Sequence, residues 1–372
     1  MHPKGTGSTN RSFFAGCRWR ASEISPLRPR SVRAKRVRGV DCKKVAKNGA
    51  ADFCQRKGAM GTIAKKTGTL LLTLLLVSAM AFLAFQIIPG DPVTKILGTD
   101  YTPERAATLR HELGLEGDLS ARYLRWLAGF ITGDFGISYS YMKPVRQVMQ
   151  GKLAVTAALS VLSWLLVLLF SIPLGIALAR YHKGVFARAA ATVNQVFMAV
   201  PPFFIGILFT YLFGLLLKWF VPGKFVPFSE SFWGCIGYLF FPALAIAIPK
   251  AAKTARLLVS SIMGEMQKDY VRTAYSRGNS RWMVIRTHVL RNALLPVVTY
   301  LAMSLADIVA GSIIVEQVFV VPGIGRLLVA SIASRDFPVA LTIVVLIAAL
   351  VVFMNYVADL VTQYIDPRVR LS

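Results

Sequence analysis

The 372-residue chain is 55% hydrophobic and only 16% charged, with a net charge of +25 and a mean hydropathy of +0.55. Soluble domains carry about 25% charged residues, so this composition excludes an ordinary soluble domain and favours a membrane protein. The four cysteines show no CxxC or Cys/His metal spacing, so cysteine chemistry is not the organising principle.

Residues 1–59 form a basic, aperiodic stretch, and residues 1–66 hold 17 Lys/Arg against 3 Asp/Glu. Such a tail could bind nucleic acid or anionic lipid. The change at Met60 to GTIAKKTGTLLLTLLL instead predicts a protein that starts at Met60, preceded by disordered or over-extended sequence. Six runs then reach the roughly 17–25 residues that a membrane-spanning helix requires. They cover residues 69–88, 153–179, 192–217, 236–256, 293–315 and 338–363. The first carries no charge between Thr69 and Ile88 and is longer than the 7–15 residues of a signal-peptide core. Pro173, Pro201, Pro202 and Pro242 lie within the others. Packed membrane helices tolerate proline because their neighbours re-satisfy the freed carbonyls.

The loops give an orientation. Residues 180–191 carry Arg180, Lys183 and Arg188 with no acid, and residues 250–291 carry nine Lys/Arg against Glu265 and Asp269. The 89–151 loop is balanced at seven and seven, and the 218–235 loop has Lys218, Lys224 and Glu230. The C-terminal DPRVRLS adds Arg368 and Arg370. Under six spans every basic loop falls on one side, so the positive-inside rule predicts cytoplasmic termini.

The 250–291 region is too basic for lipid yet is patterned. Leu258, Ile262, Met266, Tyr270 and Ala274 recur every four residues, an apolar helical stripe. Gly278 breaks it where a helix end favours positive φ. Ser280 then stands as a helix N-cap, and Trp282, Ile285 and Val289 restart the stripe. The expectation over 257–291 is helix, glycine corner, helix. On physical grounds alone, an amphipathic helix lying on its own bundle or on headgroups and a dock for a partner stand equal.

Catalytic motifs are lacking. The Gly-Lys pairs at 151–152 and 223–224 are followed by Leu and Phe, so neither forms a GxxxxGK[ST] phosphate loop. HExxH and paired intramembrane carboxylates are also missing from the sequence. The sequence thus offers no catalytic, cofactor or metal site of its own, which disfavours a membrane protease or hydrolase. Asp307 is an acid well inside an apolar run, and intramembrane ionisable groups are functional candidates by default. Its bland alternative is a packing hydrogen bond with Ser304 or with another subunit. A secondary transporter or channel would show several buried acids or broken-helix repeats; that reading is the rival one.

The stretch DYVRTAYSRG (269–278) resembles the EAA loop of ABC-importer permeases, in the dipeptide/oligopeptide/nickel branch. Arg272, Thr273 and Ala274 take the EAA places, and Gly278 takes the glycine. IIPGDP (87–92), GDFGISY (133–139), AVPPFFIG (199–206), VVPGIGRLLVASIASRDFPV (320–339) and DPRVR (366–370) are similar to family segments in the same order. The resemblance covers residues 60–372. It implies an all-α membrane protein of the type I ABC-importer permease fold, with an external loop at 89–151 and a core transport domain at about 153–363. It further implies a homologous sister permease, two ATPase subunits that carry ATP and magnesium, and an extracytoplasmic substrate-binding protein. The implied location is a bacterial or archaeal cytoplasmic membrane, with lipid as surroundings and no nucleic-acid partner. The coupling loop would comprise Asp269, Arg272, Thr273, Ala274, Arg277, Gly278 and Asn279, with the two arginines pairing with acids on the ATPase. Ser304 and Asp307 become pathway candidates, with Asp307 able to meet a peptide amino group. Pro322, Gly323 and Gly325 become candidates for an external gate or a binding-protein dock, against the plainer reading of a structural turn.

Overall fold

The computed structural model describes residues 66–87, 92–98, 101–112, 117–181 and 184–365. The basic tail, Met60, most of IIPGDP and the DPRVR end lie outside the described residues. Among those described, secondary structure is helical apart from one isolated bridge between Ile137 and Pro144.

The first helix, α1 (Lys66–Ile87), is apolar along its length. The expected external loop is itself largely helical, with α2 (Pro92–Leu97), α3 (Pro103–Glu112), α4 (Leu119–Thr132) and α5 (Val145–Met149). Aromatic rings seat α4 on α1: Phe82 and Tyr123 meet at 5.5 Å, edge to face, an arrangement that suits the ring quadrupoles. The hydroxyls of Ser78 and Tyr123 share a 2.8 Å hydrogen bond in the same seam.

The bundle is built from α6 (Lys152–Arg180), α9 (Phe232–Glu265), α12 (Leu290–Val318) and α14 (Phe337–Ile365). Membrane helices gain little from hydrophobic exclusion, so small residues that permit close approach dominate their contacts. The α6 face buries Ser160, Ser163, Ser171 and Gly175, and the α9 face buries Ala243, Ala245, Ala247, Ala251, Ala252 and Ala255. A Cβ on Gly175 would stand 2.8 Å from Leu258 Cδ2 and 3.1 Å from the Ala255 carbonyl, so that crossing admits only glycine without repacking. The indole of Trp164 donates to the Leu301 carbonyl at 2.9 Å, tying α6 to α12.

The third apolar segment differs from expectation. The single span read at 192–217 is α7 (Val185–Ala199) followed by α8 (Pro202–Phe209), which continues as a π-helical turn to Leu216. The two arms meet at 97°. The cause is the Pro201–Pro202 pair. A residue before proline is pushed out of the helical region, and Val200 sits at φ −76°, ψ 125°. Pro201 then caps α8, and Pro202 takes its first turn, where a missing N–H costs nothing. Among the described residues, five helices are long and apolar enough to cross a membrane, or six if this broken pair counts as one crossing. α9 also runs beyond its predicted 236–256, to Glu265, because the helix continues past the apolar length.

Side-chain pairs sort the helix ends. Lys66 at the start of α1 binds Asp359 near the end of α14 at 2.8 Å, and Thr362 donates to Thr299 near the start of α12 at 3.4 Å. At the opposite end, Phe85 of α1 meets Phe337 at the start of α14 at 5.8 Å.

Candidate functional site

The elbow between α9 and α12 comprises α10 (Asp269–Ser276) and α11 (Arg281–Val284), with a π-helical turn over Ile285–Val289 leading into α12. The expected helix, corner, helix is present. The apolar stripe does not run through one continuous helix, because α9 ends at Glu265 and the chain turns at Met266–Lys268 before α10. That turn is clamped by Glu265, which accepts from Lys268 Nζ at 2.5 Å and from the Tyr270 hydroxyl at 2.7 Å. The hydrogen bond to Glu265 raises the Lys268 ammonium above its ordinary value. Burial, followed by the same carboxylate, pushes the Tyr270 phenol up. Asn292 of α12 reaches Tyr270 at 3.4 Å and closes the corner from the other side.

α10 has two faces. Val271 and Ala274 are buried against the core that includes Leu258 and Ile262. Asp269, Arg272, Thr273, Tyr275, Ser276, Arg277 and Gly278 are exposed, with the Arg272 side chain 81% accessible. Asp269 and Arg272 approach at 3.7 Å along the helix, and Thr273 donates back to the Asp269 carbonyl. Ala274 therefore holds the elbow to its own bundle and offers no outward contact. Gly278 has φ +82° with open space around its missing Cβ, so backbone conformation alone demands glycine there. Asn279 donates to the Ala274 carbonyl at 3.0 Å, satisfying the end of α10. The Ser280 hydroxyl caps α11 by accepting from the Met283 N–H at 3.4 Å. The Arg180 guanidinium, at the end of α6, lies 4.8 Å from the Trp282 ring centre, a cation–π pair that places the end of α6 beside the elbow.

At the opposite end of the bundle, Pro322, Gly323 and Gly325 form a packed turn leading into α13 (Ile324–Ala333). Its centre is Glu316, a residue the sequence reading passed over because it closes a span rather than interrupting one. Glu316 is fully buried. Its carboxylate accepts from Thr156 Oγ1 of α6 at 2.6 Å and from the Arg326 N–H at 3.1 Å. Thr156 also accepts from the Ile324 N–H at 2.9 Å. A Cβ on Gly323 would fall 2.3 Å from Glu316 Oε2, and one on Gly325 would fall 2.6 Å from the Ile313 Cα. Buried polar groups persist only when hydrogen-bonded, and these glycines let the backbone come close enough to do it.

A second buried acid joins two motifs that the sequence left separate. Asp336 accepts from the Ser138 hydroxyl, from the Tyr139 N–H at 3.0 Å and from the Ser140 N–H at 3.2 Å. The GDFGISY segment is thereby fastened to the start of α14. Burial pushes the neighbouring Tyr139 phenol up to about 12.

Ser304 and Asp307 are not joined. Ser304 is buried and donates to the Leu301 carbonyl at 2.8 Å. Asp307 pairs with Lys250 of α9 at 2.9 Å, and its side chain is 61% exposed. Among the described residues, no group of three or more His, Cys, Asp or Glu is placed to hold a metal ion.

The described residues thus form a bundle of helices long and apolar enough to cross a membrane, with an amphipathic elbow between the fourth and fifth apolar segments. Residues 171–371 match the family described as "Binding-protein-dependent transport system inner membrane component". Residues 60–160 match its N-terminal companion, "Binding-prot-dependent transport system membrane comp, N-term". The chain belongs to this family: it is a multi-pass permease subunit of an ATP-driven ABC importer, working with ATPase and substrate-binding partners. It is 34% identical to a probable peptide ABC transporter permease, y4tP, of Sinorhizobium fredii, over 79% of this chain and 94% of that one. It is 31% identical to the oligopeptide transport system permease AppB of Bacillus subtilis, over 80% and 95%. Against the glutathione transport system permease GsiC of Salmonella paratyphi A, identity is 32% over 83% and 98%. A structure of the MetNI methionine ABC transporter in inward-facing conformations aligns with a TM-score of 0.45 at 17% identity, covering 57% of this chain and 94% of that one.

Proposed function

We propose that the chain forms one half of a peptide-translocating pathway, paired with a homologous permease, and that the elbow is where a partner ATPase pushes on it. Two ATPase subunits and an extracytoplasmic binding protein complete the assembly. The peptide class rests on the names of the relatives, among which peptide and glutathione permeases recur. The dock rests on one observation: α10 buries Val271 and Ala274 in its own core while Arg272, Thr273, Tyr275 and Arg277 face outward. An amphipathic helix lying on headgroups turns its apolar face to lipid, whereas here that face is already taken. The outward face is free to pair with acids on an ATPase, and the clamped corners on either side would carry its movement into α9 and α12 as a rigid-body rearrangement.

The test uses the assembled transporter in proteoliposomes carrying Arg272→Ala and Arg277→Ala together. Both side chains are exposed, so the chain should fold and insert normally. Peptide uptake should fall about tenfold or more, the equivalent of two charge pairs lost from a protein interface, with reduced ATPase co-purification. Unchanged uptake and co-purification would show that the elbow is only a solvated basic face.

A further inference from the structure

α9 carries Lys250, Lys253 and Arg256 in its second half. At about 1.5 Å per residue, Lys250 lies about 27 Å along a helix of about 51 Å, and the other two lie one and two turns further on. Each meets a polar partner on a neighbouring helix. Lys250 binds Asp307 of α12 at 2.9 Å, and Lys253 Nζ lies 5.4 Å from the Tyr300 ring centre on α12. Arg256 donates to Gln195 of α7 at 3.3 Å. Lys253, Arg256 and Asp307 are nonetheless exposed on this chain, so the row forms a surface rather than a buried network.

Charged groups within a bilayer face a bundle interior or a water-filled cavity, because lipid cannot solvate them. Lys250 lies within the roughly 30 Å that hydrocarbon would cover along α9, so it and its partner Asp307 do not face lipid tails, and Lys253 and Arg256 continue the row towards the elbow. Three cations against the one carboxylate of Asp307 leave two positive charges in excess. We propose that this row is an electropositive wall of the translocation pathway and that it receives the C-terminal carboxylate of the permeating peptide. Asp307 holds Lys250 against the bundle, while Lys253 and Arg256 supply the charge that meets the ligand. The carboxylate assignment rests on the peptide reading above; the wall itself does not.

Two measurements separate the parts. In a transporter whose four native cysteines are replaced, Lys253→Cys is exposed to sulfonatoethyl and trimethylammonioethyl methanethiosulfonates. Each rate is normalised to that of a small thiol in solution. Both reagents should react, the anionic one about tenfold faster. Adding Lys250→Gln and Arg256→Gln should bring the ratio towards one. No modification, or a cationic preference, in a complex that still takes up peptide overturns the wall. In proteoliposomes, Lys253→Gln should lower uptake of a free-acid peptide several-fold and leave its C-terminal amide unchanged, both being delivered by the binding protein. Equal loss for both overturns the carboxylate assignment even if the thiol chemistry stands.

Discussion

At the scale of single residues, Glu316 shows how a buried carboxyl group can fix a turn. Its carboxylate collects Thr156 from α6 and a backbone N–H from the first turn of α13, so three segments meet on one side chain. The two glycines nearby serve this closeness and not a left-handed backbone, since neither has positive φ. Gly325 is the more demanding of the pair, because its Cβ would strike the main chain of Ile313 and no rotamer change can relieve that. Gly325→Ala should therefore cost about 1–3 kcal/mol, as overpacked interiors do, seen as a lowered melting temperature in detergent. Gly237→Ala, on α9 with nothing within 4 Å of the added methyl, is the matched control and should be neutral or slightly stabilising. Equal melting temperatures for the two variants would mean that the turn yields freely.

At the scale of one element, α10 separates anchoring from presentation within eight residues. Val271 is 1% exposed, while Thr273, two positions on, points to solvent. Placing a carboxylate at each tests the division. Val271→Asp buries a charge with no designed partner and should cost about 2 kcal/mol or more, loosening the elbow and lowering the melting temperature of the chain. Thr273→Asp should stay within about 0.5 kcal/mol of wild type, as surface substitutions do, and, with the outer face as the proposed dock, reveal itself instead as weakened uptake. Much of this element was legible in the sequence. The period-four stripe marked the inward face, and Gly278 and Ser280 marked the corner. The break at Met266–Lys268 was not legible, because the stripe keeps its phase across the turn while hydrogen bonds from Lys268 and Tyr270 to Glu265 stabilise it. Single-sequence patterns show which face is apolar, not which carbonyls have lost their partners.

At the scale of the molecule, five of the six apolar runs map onto single long helices, since length and hydropathy are local properties. The remaining run, 192–217, is a broken pair rather than one straight helix because Pro201–Pro202 bends it by 97°, and its packing depends on other helices. The pairings Glu316–Thr156 and Asp336–Ser138 span 160 and 198 residues and had no local trace. The charge pattern is the global feature that the sequence could carry, and it yields a prediction for the whole chain. Contacts between Arg180 and Trp282, Lys66 and Asp359, and Thr299 and Thr362 gather the elbow, the end of α6, the start of α1 and the last turns of α14 at one end of the bundle. That end holds the six Lys/Arg of 268–291, whereas the 89–151 and 218–235 loops are close to neutral. The bias in short loops sets orientation during insertion, so the elbow end should face the cytoplasm. A fluorescent protein fused after Ser372 should mature and glow in a bacterial host, since folding of that reporter requires the cytoplasm. Alkaline phosphatase inserted after Ser229 should be active, and the same enzyme inserted after Gly184 should be inactive. The reverse pattern would place the basic elbow outside and deny it any contact with an ATPase, removing at one stroke the basis for reading α10 as the site of energy coupling.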